Sequence, residues 1–380
     1  MHDSIRMSIS NEAEKKHDGL VIALLNQGWD VKFSRDFLSK KLNSIYAHFM
    51  KTGLVDSLGI GFEKLVGEYE NYNTEHIVAL PLGGMIMGIE SLEIGKITLR
   101  KATPEYLQRV LIGRTEDISQ ELVDEYVKNV LGERKETVCA EFRVVAEEGR
   151  AEERAIDECN RTLDILRFAL PILIGRHWKA AIGFDHEVLG VNWYQAVIFA
   201  VGEDQGRKHS NKNFSPSALF INNEAITTLE EIGVFKLSNI LKKETDPITN
   251  FEHLVLRGIH WYSTSKKTIE LENKFLNLTT CLETFFTPND NSPIVNAVAE
   301  GCAFVLWEEV EKRKSLFQTV KRLYRIRSGL SHGGKIATLY SEVEEIESIA
   351  WHLLYWMISK LGEFQTQESL RQWIQEQKFK

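Results

Sequence analysis

Residues 316–335 read LFQTVKRLYRIRSGLSHGGK and predict a helix with one buried side. Apolar residues recur in this stretch at the spacing of a single helix face, namely Leu316, Phe317, Val320, Leu323 and Tyr324. Arg327 continues that face one turn further, so the buried side of the predicted helix ends on an arginine. A guanidinium is rarely buried without an anion, and we therefore expect Arg327 to meet a carboxylate or a phosphate.

A histidine follows five residues after this arginine. The imidazole of His332 titrates near neutral pH, which suits it to proton transfer, and Gly333-Gly334 end the helix and let a ligand approach. Five residues of an ideal helix rotate by about 140° and rise by about 7.5 Å, so Arg327 and His332 of one chain do not lie side by side. Gly329 can let the helix depart from this ideal rotation and rise. A two-fold dimer would bring an arginine and a histidine together better, because it places two copies of each residue around one cleft.

The pattern Tyr324-x-x-Arg327-Ser328-x-x-x-His332-Gly333 resembles the R-x4-6-H signature of HEPN domains, and its flanks resemble the Apea-like HEPN group. A second block is similar to the first long helix of that group, with Trp261-Tyr262, Phe275-Leu276 and then Cys281-Leu282-Glu283-Thr284-Phe285-Phe286. The resemblance covers about residues 250–380. It implies a helical bundle that acts as a dimeric endoribonuclease, in an effector of a bacterial antiviral or toxin-like system.

RNA cleavage without a metal needs a base for the 2′-hydroxyl proton, an acid for the leaving 5′-oxygen and a cation on the phosphate. We expect His332 to transfer protons and Arg327 to hold the phosphate through its planar fork. The supporting residues expected around them are Tyr324, Ser328 and Ser331, with Lys321, Arg322 and Arg325 along the RNA backbone.

A non-catalytic interpretation of the same residues stays open. In this interpretation Arg327 pairs with a carboxylate across the bundle, and Glu283 is the candidate. His332 then only caps the end of its helix. Some proteins with HEPN domains act only as dimerisation or nucleotide-binding modules. On this interpretation the chain is an interaction protein.

Length and charge indicate a globular protein with more than one core. The chain has 380 residues, of which 43% are hydrophobic and 26% charged, which is enough for about two or three domains. Its net charge is −8, yet residues 250–380 hold 16 Lys and Arg against 16 Asp and Glu. The acidic excess therefore lies in residues 1–249. This distribution argues against non-specific coating of nucleic acid and leaves the C-terminal third best suited to a polyanion such as RNA.

The cysteines and the apolar runs limit the classes of site further. Cys139, Cys159, Cys281 and Cys302 are scattered without a C-x-x-C pair, which favours reduced core thiols over a zinc site or a disulfide framework. We expect no metal and no cofactor.

Residues 1–19 lack an apolar signal region, and the run 166–174 is short and interrupted by Pro171. The sequence therefore predicts a cytoplasmic protein without a membrane segment.

Residues 1–245 are predicted to form an α+β regulatory or sensor region with a mostly antiparallel sheet. A sub-boundary is possible near residue 135. No motif identifies the signal that this region would sense. Helices are expected over 34–50, 104–110, 116–131 and 151–170, and strands over 76–84, 91–100, 138–146, 179–184 and 194–202. Gly59-Ile60-Gly61 is expected to separate a helix from a strand, residues 204–213 to form a polar loop, and Ser215-Pro216 to start a helix.

The charged, turn-forming stretch 242–250 is the predicted linker to a helical domain over 250–380. That domain is expected to contain a first long helix over 251–286 with a possible break, a second from 294 through 307 toward the motif, and a last one that begins with a capping box, Ser341-x-x-Glu344. The predicted fold class is an α+β N-terminal half followed by an all-α HEPN-like helical bundle.

Overall fold

The computed structural model describes residues 11–112, 119–131, 136–175, 182–184, 195–198, 208–211, 218–244, 247–287, 294–331 and 338–379. An N-terminal region of helices and strands is followed by a C-terminal region of helices alone, which confirms the predicted fold class. By its internal packing the chain forms two compact units, the first from Met1–Leu80 with Glu141–Asp157 and the second from Pro81–Ala140 with Glu158–Lys380. Residues 250–380 belong to the second unit, and a domain boundary near 245 stays a prediction.

Three α-helices lie wholly within the described part of the first unit, namely α1 (Asn11–Asn26), α2 (Arg35–Thr52) and α3 (Asp56–Asn71). They bury Val21, Phe33, Leu38, Leu42 and Leu65. Ser34 caps α2 by accepting the backbone N–H of Phe37 at 3.2 Å, so the helix predicted over 34–50 is confirmed.

The interpretation of Gly59-Ile60-Gly61 as a break between a helix and a strand is wrong, because all three residues lie inside α3. Gly61 faces α2, and a Cβ atom there would lie only 2.7 Å from a methyl carbon of Ile45. The glycine therefore permits close packing of two helices. It does not mark the end of one.

The described strands of the N-terminal half have between two and nine residues. They are β1 (Glu75–Gly83), β2 (Met85–Met87), β3 (Ser91–Ile94), β4 (Ile97–Ala102), β5 (Thr137–Val145), β6 (Gly183–Phe184), β7 (Gln195–Ile198), β8 (Lys208–Asn211) and β9 (Leu219–Ile221). Five of them form a sheet in the order β3-β4-β5-β1-β6. The pairs β1–β6, β3–β4 and β7–β8 are antiparallel and β2–β9 is parallel. Most of these pairs are antiparallel, as predicted.

Two local predictions in this half need correction, and a third lies outside the described residues. Residues 91–100 are not one strand, because Gly95 adopts a φ of 61° and turns the chain between β3 and β4. Residues 208–211 of the expected polar loop form β8, whereas Arg207 and Lys212 lie outside the described residues. The expected helix start at Ser215-Pro216 also lies outside them, and the chain beyond it enters β9.

The helices of the N-terminal half outside the first unit's bundle are α4 (Pro104–Ile112), α5 (Gln120–Leu131), α6 (Glu148–Leu173), α7 (Asn223–Glu231) and α8 (Val234–Lys242). Helices α4 and α5 share an apolar cluster that includes Tyr106, Leu107, Val123 and Val127. The amide oxygen of Asn222 caps α7 by accepting the N–H of Ala225 at 2.8 Å. Strand β1, strand β5 and helix α6 each begin in one unit and end in the other.

The C-terminal helices are α9 (Asn250–Lys267), α10 (Leu271–Phe286), α11 (Ile294–Leu306), α12 (Val310–Ser331), α13 (Tyr340–Ser359) and α14 (Gln367–Gln377). The predicted break in 251–286 is confirmed, since α9 ends before Thr268 and α10 begins after Glu270. The predicted inner face of α10 is also confirmed, because Phe275, Leu278, Leu282 and Phe285 are fully buried. No helix in the described part of the chain has the length and apolarity needed to cross a membrane.

The capping box predicted at Ser341 and Glu344 is wrong by two residues. Helix α13 begins at Tyr340, and the side chain of Glu342 accepts the backbone N–H of Leu339 at 2.9 Å. Two glutamates stand two residues apart here, and either can cap a helix start. Which one does so depends on where the chain enters the bundle, and the sequence pattern does not contain this information.

Candidate functional site

Helix α12 carries the predicted apolar face and presents Arg327 near its C-terminal end. Val320, Leu323 and Tyr324 are buried on this face, which confirms the predicted periodicity. Leu316 and Phe317, at the start of the pattern, are only partly buried. Arg327 follows one turn after Tyr324 with 36% of its side chain exposed, so its guanidinium lies at the margin of the core.

The anion that meets Arg327 is Glu283 on α10. Arg327 Nη2 lies 3.3 Å from Glu283 Oε1, and the glutamate side chain is 17% exposed. Arg327 Nε and Glu283 Oε1 are both buried, and neither forms a hydrogen bond with a described residue. The two side chains therefore share a charge contact through one nitrogen, without the two parallel hydrogen bonds of a forked arginine–carboxylate pair.

Tyr324 lies against the same two side chains. Its hydroxyl is buried and has no hydrogen-bond partner among the described residues. Burial raises the pKa of Tyr324, the negative charge of Glu283 raises it further, and the positive charge of Arg327 acts in the opposite direction. Tyr324 is therefore a neutral phenol at physiological pH and cannot act as a base. It can donate a hydrogen bond beside the Arg327–Glu283 pair.

The other predicted site residues differ in their exposure and in the contacts that their side chains already make. Ser328 and Arg325 are exposed, and Lys321 lies over the ring of Phe317 at 5.3 Å. Arg322 is already paired with carboxylates of α13, contacting Glu345 and lying 3.8 Å from Glu342. An RNA strand would have to compete with two glutamates for this arginine, which weakens the expectation that Arg322 follows the backbone.

The remaining members of the motif are not described. The side chain of Ser331, and the whole of His332, Gly333 and Gly334, lie outside the described residues. Helix α12 extends to Ser331, so Arg327 lies a little more than one turn before the chain reaches His332.

The cysteines and the acidic residues form no second centre in the parts of the chain that are described. Cys139, Cys159, Cys281 and Cys302 are all buried thiols. Burial raises the pKa of Cys281 and of Cys302, which keeps both thiols protonated and poorly reactive. Over the same residues, no group of three or more His, Cys, Asp or Glu side chains is arranged to hold a metal ion.

Sequence reasoning missed a buried polar network between α6 and α9. Arg167 is 1% exposed and donates to the carbonyl oxygen of Ile182 from Nε at 3.0 Å and from Nη2 at 2.8 Å. Its Nη1 lies 3.4 Å from Asp164 Oδ1, and this oxygen also accepts the hydroxyl of Ser263. Asp164 Oδ2 lies 2.9 Å from Nδ1 of His260. The available signal was an acid and an arginine three residues apart inside the apolar pattern of α6.

Comparison with known proteins adds no identification to this geometry. Neither a family model, nor a curated protein, nor a solved structure matches the chain.

Proposed function

We propose that this protein is an endoribonuclease of the HEPN type that cleaves RNA without a metal ion. In this proposal Arg327 binds the scissile phosphate, and His332 transfers the protons of the reaction. Tyr324 and Glu283 orient the guanidinium, and Ser328 and Ser331 bind the phosphate or fix the tautomer of the imidazole. Arg325 and Lys321 contact the neighbouring backbone of the RNA.

The observation that supports this proposal is that the side chain of Arg327 is partly exposed and contacts Glu283 through one nitrogen only. Its side chain is 36% exposed, although Val320, Leu323 and Tyr324 on the same helix face are buried. Glu283 holds it through Nη2 alone, at 3.3 Å, and Nε has no hydrogen-bond partner among the described residues. Arg327 Nη1 forms no ion pair or hydrogen bond with a described residue, so in this proposal the donors of Nη1 and Nη2 bind the phosphate, whereas the buried Nε does not. Glu283 thus fixes the guanidinium at a site that a substrate can reach.

A second candidate function is a non-catalytic interaction module. The observation that favours it is the same ion pair, because Glu283 already satisfies the charge of Arg327. Under this alternative the pair stabilises the contact of α10 with α12, and the bundle binds a partner or a second copy of itself.

We further propose that residues 1–245 detect a trigger and control the nuclease, and that the protein acts in the cytoplasm in antiviral defence or as a toxin. These roles rest on the resemblance to Apea-like HEPN domains. Production of the wild-type protein with its trigger should then stop cell growth, whereas production of the His332→Ala variant should not.

Cleavage of single-stranded RNA in the presence of EDTA tests the main proposal. We expect the purified protein to produce fragments that end in a 2′,3′-cyclic phosphate or its hydrolysis product, which mass spectrometry identifies. Arg327→Lys keeps the charge but not the planar fork, and should lower the rate about 10²-fold. Arg313→Lys, 14 residues earlier on the same helix, is the matched control and should retain the wild-type rate. Loss of cleavage with EDTA would contradict the mechanism, and absence of cleavage with the trigger present would favour the interaction module.

The helical domain is also expected to form a homodimer through the helices that contain residues 327–332. The reason is geometric, since positions 327 and 332 of one ideal helix are rotated by about 140° from each other, and a second copy can supply the missing neighbour. Sedimentation velocity at micromolar protein concentration measures the state directly. A monomer under all conditions, in a protein that still cleaves RNA, would show that one chain builds the site alone.

A further inference from the structure

Beyond its first turn, helix α9 exposes two basic residues and two histidines. Apart from Asn250 in the first turn, the exposed residues of α9 are His253, Arg257, His260 and Lys267, and we call these four the α9 outer face. Their spacings of four, three and seven residues place them within about 80° of the helix circumference. The opposite side of the helix is buried, with Phe251, Val255, Ile259 and Tyr262 in the core. The four residues therefore lie on the same, outer side of the helix.

The cations of this surface have no acidic partner among the described residues. Neither Arg257 nor Lys267 forms an ion pair with any described residue, whereas Lys312 and Lys314 on α12 are paired with Glu309 and Glu311. The acid of α9, Glu252, lies away from this surface. It binds Lys243 at 2.8 Å and accepts the N–H of Thr249. In a chain of net charge −8, a face with two unpaired cations is a local site for an anion.

His260 is held in place from the inside of the protein. Its ring nitrogen Nδ1 lies 2.9 Å from Oδ2 of Asp164, and 56% of its side chain is exposed. Asp164 is itself fixed, because its other oxygen accepts the hydroxyl of Ser263 and lies 3.4 Å from Nη1 of the buried Arg167. A carboxylate can only accept, so Nδ1 must carry the proton. In the neutral imidazole, Nε2 is then an oriented acceptor on the outer face.

We propose that the α9 outer face binds the backbone of single-stranded RNA, with Arg257 and Lys267 on phosphates and Nε2 of His260 accepting a ribose 2′-hydroxyl. The choice of RNA over other polyanions rests on the proposed nuclease function. The 2′-hydroxyl is the donor that RNA has and DNA lacks, and an imidazole fixed as an acceptor is matched to it. The outer face would therefore both hold the strand and distinguish RNA from DNA.

Binding is best measured with the full chain carrying His332→Ala, so that the proposed cleavage does not consume the ligand. The probes are a fluorescein-labelled oligouridine RNA and the DNA of the same sequence, followed by fluorescence anisotropy over a range of salt concentrations. Adding Arg257→Gln and Lys267→Gln should weaken binding of both probes about tenfold at about 0.15 M salt, and lower the salt slope by about 1.4. The matched control, Lys312→Gln with Lys314→Gln, removes the same charge from α12 and should leave affinity unchanged.

His260 is tested by two substitutions that differ in shape. His260→Ala removes the ring, and His260→Phe keeps a ring without its nitrogens. Each should weaken RNA binding about fivefold, as expected for the loss of one hydrogen bond, and leave DNA binding unchanged. Thermal unfolding of each variant, compared with the parent protein, identifies any effect that comes from damage to the fold.

Three results would overturn the inference: no RNA binding by the parent protein, equal losses in the outer-face variant and its control, or equal effects of the His260 variants on RNA and DNA. Failure of the proposed nuclease function has a different signature. A wild-type protein that binds RNA through the outer face but cleaves none would contradict the nuclease alone. Normal cleavage with unchanged binding by the outer-face variants would contradict this inference alone.

Discussion

Replacing His332 by alanine is expected to lower the rate of RNA cleavage by about 10² to 10⁴, the usual effect of removing one proton-transfer group. Arg327, the proposed phosphate-binding residue, should stay in place, because Glu283 on α10 contacts it. RNA binding should therefore persist while turnover falls. The measurement is single-turnover cleavage of a labelled RNA by protein in excess, which separates the chemical step from binding.

The control for this experiment is His352→Ala on α13. This histidine is exposed and its Nδ1 is hydrogen-bonded to the carbonyl oxygen of Ser348 at 2.7 Å, so its loss removes an imidazole without touching the motif. Its cleavage rate should equal that of the wild type. Equal rates for His332→Ala and the wild type would show that the histidine transfers no proton, and the cleavage would then have another origin.

Replacing Arg167 by leucine is expected to destabilise the second unit by about 3 to 5 kcal/mol, the usual cost of leaving a buried charge without its partner. Asp164 is only 8% exposed, and without Arg167 it loses its positive neighbour. The carbonyl oxygen of Ile182 loses two N–H donors at the same time. Leucine fills part of the space but donates no hydrogen bond. Urea unfolding of the full chain, followed by circular dichroism, gives the difference in free energy.

Arg161→Leu is the matched control for this substitution. Arg161 lies on the same helix and is also three residues from its acid, Glu158, but 60% of its side chain is exposed. Glu158 is itself buried, so this replacement should also cost stability, but less than that of Arg167, because the exposed guanidinium of Arg161 interacts with its acid through solvent-screened charge. If the stranded charge of Asp164 causes the loss, adding Asp164→Asn to Arg167→Leu should recover part of the stability. Equal losses at the two arginines, or no recovery in the double variant, would refute this explanation.

The sequence by itself determined the elements whose signals are local. The apolar residues of α12 recur with the helical period, and this alone predicted both the helix and an inward arginine at its end. An inward-facing guanidinium needs an anion, and this requirement made Glu283 a candidate partner of Arg327. The two side chains are in contact in the structure. The helix predicted over 34–50 likewise follows from a local pattern, and the structure adds that Ser34 caps it by accepting the N–H of Phe37.

Tertiary structure decided the features whose partners are distant in the chain. Strands β2 and β9 have three residues each and pair in parallel across more than a hundred residues, so neither is long enough to show a period of its own. Asp164 and His260 are 96 residues apart, and no spacing rule connects them. Buried polar networks depend on which helices pack together, because each group needs a partner at hydrogen-bond distance in three dimensions. For that reason the sequence indicated Arg327 and its anion, whereas only the fold placed an oriented imidazole on the outer face of α9.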